Sequence, residues 1–351
     1  MTDLAAYLPR VPRAARRPVI LGGLAALLAI AFVLALATGA APIAFSEVLR
    51  ALAGMAADPR DAAIIQSIRL PRALLAVIAG MALAGAGAAF QGLFRNPLAD
   101  PSLIGVSGGA ALGAVAVIVL GSFLVGVLPF LASPWLLPMA AFAGGLAATF
   151  AIQGLAQMRG EAATATLLLA GIAINALTGA LTGLLVYVST DTQLRDFTFW
   201  SMGSLASGGW RAVTAAALPV LLALGIILSR ARALDAMLLG EREALHLGVP
   251  VQRLKHVVMI TAALAVSSAV AFCGIIAFAG VVVPHVVRLM AGPDHRIVLP
   301  GSMLAGATLL LAADSFARVV VAPAELPIGL VTAALGSPFF LWLLIRRGRP
   351  A

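Results

Sequence analysis

The sequence is poor in charge, cysteine and lysine, and each shortage excludes something. Only 11% of its 351 residues are charged and 62% are hydrophobic, with a mean hydropathy of +1.07. A soluble domain carries about a quarter charged and about half apolar residues. A fold surrounded by water cannot hide this much apolar surface, so the chain reads as a membrane protein. The one cysteine, Cys273, excludes an intrachain disulfide, and its apolar setting AVSSAVAFCGIIAF suits a buried small hydrophobe. With no Cys/His spacing pattern, a structural zinc site has no support. The one lysine, Lys255, follows Leu254, so there is no G-x-x-x-x-G-K-[ST] phosphate loop. Neither H-E-x-x-H nor a mid-span pair of acidic residues is present, which argues against a zinc protease and a proton-coupled carrier. Asp314 comes nearest to such a carboxylate, and it falls at the end of an apolar run. No constellation suited to an enzyme is evident.

The formal net charge of +9 does not point to nucleic acid. Phosphate-binding surfaces are dense in Lys and Arg on a polar fold, whereas these basic residues fall between apolar runs. Ten such runs approach the ~20 residues needed to cross a bilayer: about 19–37, 71–91, 104–121, 134–156, 164–189, 211–229, 256–274, 276–291, 298–313 and 327–345. The expected architecture is an all-α bundle of ten transmembrane helices forming one domain over 1–351. Small residues, as in GMALAGAGAAF, let helix backbones approach closely in lipid. With ten spans, sixteen of the 23 basic residues fall on one side and seven on the other. The positive-inside rule makes the richer side, with both termini, cytoplasmic. That side holds the basic N-terminal stretch 1–18 and the loop 230–255. The first run is longer than a signal-peptide core of ~7–15 residues and reads as a span. The turns NPLADPSLIGVSGGAALGA and PDHRIVLPGSMLAGA echo each other weakly, as an inverted repeat would.

Three stretches are too polar or too constrained for plain lipid-facing helices. In QGLFRNPLADPSLIGVSGGA, Pro97 and Pro101 leave backbone groups that lipid cannot satisfy. Asn96 or Asp100, neighbouring helices or a partner must cap them; an ordinary Asn-Pro turn is the plainer reading. In ARALDAMLLGEREALHLGVPVQRLK, Leu234, Met237, Leu238, Ala244 and Leu245 recur at helical spacing, and Gly240 and Gly248 punctuate them. Two short amphipathic helices turning at Gly240 are expected. Their apolar face suits a cytosolic partner, against the alternative of a solvated loop. The outward loop STDTQLRDFTFWSMGSLASGGW places Phe197, Phe199, Trp200 and Trp210 at a membrane interface. Arg195 is either solvated there or faces a pathway for an anionic substrate. His285, in GVVVPHVVRLM, reads as a packing histidine.

Taken together, the motifs resemble the FecCD family, permease subunits of ABC importers for haem, ferric siderophores and cobalamin. They are RLPR at 69–72, QGLFRNPLADPSLIGVSGGA at 91–110, LLLAGIAINAL at 167–177 and FWSMGSL at 199–205. LGEREALHLGV follows at 239–249, GIIAFAGVVVPHVVRL at 274–289, ADSFAR at 313–318 and AELPIGLVTAALGSPFFLWLL at 324–344. The resemblance implies a multi-pass protein of the bacterial inner membrane that pairs with a second copy of itself. Two cytoplasmic ATPase subunits would bind the ATP, leaving this chain without a cofactor. They would dock over 236–249, on Met237, Leu239, Gly240, Glu241, Ala244, Leu245, Leu247 and Gly248. Carboxylates of a periplasmic binding protein would meet Arg69, Arg72 and Arg318. RDFTFWSMGSL looks most like the haem permeases, which would put Arg195, Phe199 and Trp200 at the outer gate with haem as substrate. A ferric siderophore or cobalamin permease would share the architecture. An ion-coupled secondary transporter would need the mid-span carboxylates that are missing.

Overall fold

A computed structural model describes residues 13–39, 43–55, 58–127, 132–157, 164–322 and 324–347. Most of the basic N-terminal stretch expected over 1–18 therefore lies outside the described residues. Among those described there is no strand. The chain runs through α1 (Arg13–Ala37), α2 (Phe45–Leu52) and α3 (Pro59–Ala63), then a π-helical stretch, Ile64–Arg69, into α4 (Leu70–Leu93). A 3-10 turn, Pro101–Ile104, leads to α5 (Val106–Val127), α6 (Leu136–Gln157) and α7 (Thr164–Tyr187). Next come α8 (Asp191–Ser201), α9 (Trp210–Ser229), α10 (Ala231–Met237) and α11 (Glu241–His246). The last four helices are α12 (Val251–Cys273), α13 (Ala279–Ala291), α14 (His295–Val319) and α15 (Ile328–Arg347).

Seven of the described helices are long and apolar enough to cross a membrane, and shorter apolar stretches occupy α5, α13 and α15. Each of the ten coincides with one of the apolar runs in the sequence. The elements that hydropathy misses are short or amphipathic. One is α8, in the segment expected to be an outward loop. Its Thr190-x-x-Gln193 start is a reciprocal capping box: Thr190 Oγ1 accepts from Gln193 N, and the Gln193 side chain accepts from Thr190 N. Gln193 Nε2 also donates to Val119 O, fastening α8 to α5.

Burial sorts the helices into centre and rim. The most apolar window of the α3–α4 rod is 83% buried, and those of α12 and α14 are 72% and 67% buried, against 11% for α1 and α7. Central α4 packs on α14, α12, α13 and α9, while α5 joins α6 and α7. At the α4–α14 crossing Gly80 faces Gly306, and a Cβ on either would overlap the other's backbone. Lipid offers no hydrophobic force to press helices together, so dispersion at such close contacts has to hold them.

Gly80→Val therefore destabilises by about 3 kcal/mol or more, the upper end of overpacking costs, because backbone cannot swing aside as a side chain does. Gly22, with nothing within 4 Å of its would-be Cβ, is the control. Thermal unfolding in detergent reads the difference, and equal melting of Gly80→Val and Gly22→Val would mean the two helices do not touch there.

Candidate functional site

At one end of the bundle, three arginines converge on the ends of α1 and α14. Arg72, at the start of α4, lies 2.8 Å from Asp314 Oδ1 and 2.9 Å from Glu325 Oε1. Arg318, one turn beyond Asp314 on α14, takes the second oxygen of Asp314 at 3.1 Å and donates to the carbonyls of Ala35 and Thr38. Arg69, ending the π-helical stretch, donates to the carbonyls of Leu36 and Ala37. Two guanidinium groups thus cap the C-terminus of α1, where unpaired carbonyls and the helix dipole favour cations. All three arginines are buried. The structure brings Arg69, Arg72 and Arg318 together as a set but turns them inward, with donors bound inside the bundle. In this conformation they brace this end of the bundle and do not offer it free guanidinium groups. Asp314 is the hub, and an isolated acid at a span end was its sequence signal.

The proline turn between α4 and α5 is capped from within. Asn96 Oδ1 accepts from Leu98 N, and Asp100 Oδ1 accepts from Ser102 N at 2.8 Å at the head of the 3-10 turn. Asn175 of α7 donates to Ser102 O. Pro97 and Pro101 accordingly need no outside partner for these backbone groups. The Asp100 carboxylate packs beside Gly280 of α13. Burial there raises its pKa, against the opposing pull of its Ser102 hydrogen bonds.

The opposite end carries the helical hairpin α10–α11, with its turn at Gly240 as the spacing predicts. Gly240 has φ +132°, and a Cβ there would overlap the Glu243 carboxylate. Gly248, at φ +83°, ends α11 in a Schellman motif: Val249 N bonds Ala244 O, and Gly248 N bonds Leu245 O. Met237 and Ala244 face inward and are fully buried. Leu239, Leu245 and Leu247 point outward, 65%, 57% and 63% exposed. Glu241 bonds Lys255 of α12 at 2.7 Å, so the single lysine is a tether. A cleft of about 970 Å³ opens beside the hairpin between Arg17, Asp235, Leu238, Asp294 and Arg296. Arg296, bound bidentately, holds the Asp294 carboxyl below its usual range.

On α8, Arg195 and Phe199 are exposed and Trp200 is half-buried, stacked on Phe197. Arg195 makes no ion pair among the described residues. It is 11-residue α8 that puts Arg195 and Phe199 on one exposed face, four positions apart. His285 is buried edge-on against Phe339, a packing role as expected.

Comparison with known proteins gives a consistent result. The family model described as the FecCD transport family matches residues 27–346. The chain is 47% identical over 281 residues to the hemin transport system permease protein HmuU of Yersinia pestis, covering 80% of this chain and 83% of that one. It is 43% identical over 282 residues to the cobalamin import system permease protein BtuC of Halobacterium salinarum, covering 80% and 73%. A solved metal-chelate type ABC transporter in an inward-facing conformation superposes with a TM-score of 0.80 at 34% identity, covering 94% of this chain and 99% of that one.

Two substitutions test the site's energetics. Asp314→Asn strips the shared anion from two buried arginines and costs about 3–5 kcal/mol, as breaking buried pairs does. Breaking the surface pair Glu47–Arg50, whose arginine is 57% exposed, costs at most ~1 kcal/mol. Thermal unfolding in detergent compares them, and equal shifts would refute the internal role of the cluster. Asp100→Asn keeps the cap and removes the charge. Because burial raises the folded pKa, this group's contribution is full below its unfolded value near ~3.9 and is lost as pH rises through the folded value. The substitution thus stabilises at about pH 7.5 and much less at about pH 4. The same melting shift at both pH values would contradict the burial argument.

Proposed function

The chain belongs to the FecCD transport family, and from that premise we propose that it is the permease subunit of an importer that carries haem into the cell. It is a type II ABC importer permease, and such permeases work with ATPase and substrate-binding partners. The finer reading has a second copy of the chain completing the pathway and two ATPase subunits seated on the α10–α11 hairpin. The observation that carries the ATPase surface is the set of outward leucines at 239, 245 and 247 on a hairpin anchored by Met237 and Ala244. Exposed leucines beside arginines at a cytoplasmic end suit a protein partner, since apolar anchors with a polar rim are what interfaces bury. Nucleotide binding belongs to that partner, and so does hydrolysis. Gly240, Glu241 and Gly248 hold the hairpin's shape, while the leucines meet the partner.

Haem is favoured over cobalamin by α8. A guanidinium at Arg195 with Phe199 exposed on the same face of α8 joins a cation to a flat apolar surface. Haem presents the complement, two propionates on a planar apolar macrocycle. A charge-assisted hydrogen bond suits the former and ring contact the latter. The binding protein would deliver its cargo at this same end, over a surface braced by Arg69, Arg72 and Arg318.

The test is uptake by proteoliposomes holding the permease, its ATPase and its binding protein. They are offered haem, a ferric siderophore or cyanocobalamin, with and without ATP. ATP-dependent haem uptake is expected, and Arg195→Ala is expected to slow it about tenfold, as losing one bond to a charged group does. Uptake of cyanocobalamin or siderophore instead of haem would overturn the substrate. Uptake that ignores ATP would overturn the importer mechanism.

A further inference from the structure

The coupling hairpin is tied to the bundle at two separate points. Glu241, in the first turn of α11, holds Lys255 of α12. The other tie is made by Asp235 of α10, whose Oδ1 accepts from both the backbone N–H and the ring Nδ1 of His295, each at 2.8 Å. An ionised carboxylate only accepts, so Nδ1 carries the proton. Asp235 thereby places an anion at the N-terminus of α14, where the helix dipole favours it. It does so alongside the helix's own cap, Asp294. The imidazole of His295 is fully buried. Its far edge, Nε2, is pressed on Gly92 near the end of α4, so tightly that a Cβ on Gly92 would overlap the ring. Nε2 has no hydrogen-bond partner among the described residues. One side chain is thus bonded to the coupling hairpin on one edge, wedged against α4 on the other, and carried by the first residue of α14.

We propose that Asp235 and His295 form the joint through which movement of the coupling hairpin is passed to α14 and α4. Both act as positioning residues, and the inference rests on the importer reading above. The geometry transmits displacement in either sense. Pushing α10 inward presses the imidazole on the Gly92 backbone, and the interior is too densely packed to absorb that strain locally. Drawing α10 outward pulls on the Asp235 bonds to the backbone and ring that open α14. The ring is excluded from water, so no solvent molecule can stand in for its contact with Gly92 when the parts shift. The helices so gripped are two of the most buried in the bundle, α4 and α14.

The experiment compares wild type, Asp235→Ala, Asp235→Asn and Gly92→Ala in the reconstituted complex with ATPase and binding protein. The readout is substrate carried per ATP hydrolysed, with haem as the probe, or cyanocobalamin or a ferric siderophore where the wild type carries that instead. Loss of folded protein lowers transport and hydrolysis in proportion and leaves the ratio unchanged, whereas loss of the joint lowers the ratio. Asp235→Ala and Gly92→Ala are expected to reduce it about fivefold or more, the lower range of coupling between sites. Asp235→Asn retains an oxygen that can accept both bonds and is expected to keep most of the wild-type ratio. A wild-type ratio in Asp235→Ala overturns the joint, as does an Asp235→Asn ratio as low as that of Asp235→Ala. A wild-type complex that carries none of haem, cyanocobalamin and a ferric siderophore with ATP overturns the importer reading itself, and the joint with it.

Discussion

No water reaches the hydrocarbon interior to solvate a charge or a backbone carbonyl, and the rest of this structure follows from that constraint. An unpaired ion there is costly enough that charges within spans must find one another. The arginine cluster around Asp314 is the result. Arg72 and Arg318 share the two oxygens of Asp314, and Arg69 and Arg318 spend their remaining donors on the carbonyls that end α1. Residues distant in sequence are drawn to one place because only together are they satisfied. The cluster clamps α1, α4 and α14 at that end, and Glu325 brings in the connection toward α15.

The same constraint governs the backbone between helices. Where the chain must turn within reach of the membrane, the orphan groups are met by short side chains close at hand, as Asn96 and Asp100 do between α4 and α5. Where helices must cohere without a hydrophobic drive, side chains are removed until backbones touch, as at Gly80 and Gly306. An arrangement of this kind is stiff. It transmits displacement well and tolerates added volume badly.

Hydropathy made the ten apolar helices legible because lipid imposes length and composition on each span separately. The α10–α11 hairpin was legible too, since Gly240 and Gly248 mark positions where only glycine suits the backbone. Helix α8 was not read, although its Thr190-x-x-Gln193 signature was present; eleven residues, all but Leu194 polar or aromatic, carry no hydrophobic period strong enough to announce a helix. The partners of buried charges were beyond reach for a different reason. Nothing local in RLPR says that its second arginine will meet an aspartate 242 positions away. His295 carried no signal of its own in the sequence, because the residues it touches, Asp235 and Gly92, lie on two other helices. Arg69, Arg72 and Arg318 were legible as a group at one end, but which way a guanidinium turns depends on tertiary carbonyls invisible in sequence.

The two ends of the molecule are joined by the same pair of helices. Helix α4 begins beside Arg72 at the arginine cluster and finishes against the His295 ring at Gly92. Helix α14 runs the opposite way, from His295 at the hairpin end to Asp314 and Arg318 at the cluster end. Between these ends the two backbones meet at Gly80 and Gly306, so closely that a Cβ on either would overlap the other. At 25 residues, α14 is ~37 Å long at 1.5 Å per residue, more than the ~30 Å of a bilayer core. A unit pinned by an ion pair at one end, by glycine contact in the middle and by a wedged imidazole at the other has few ways to deform. Under the joint proposed above, displacement of the hairpin at one face of the membrane would appear at the other, which is the mechanical property that alternating access demands.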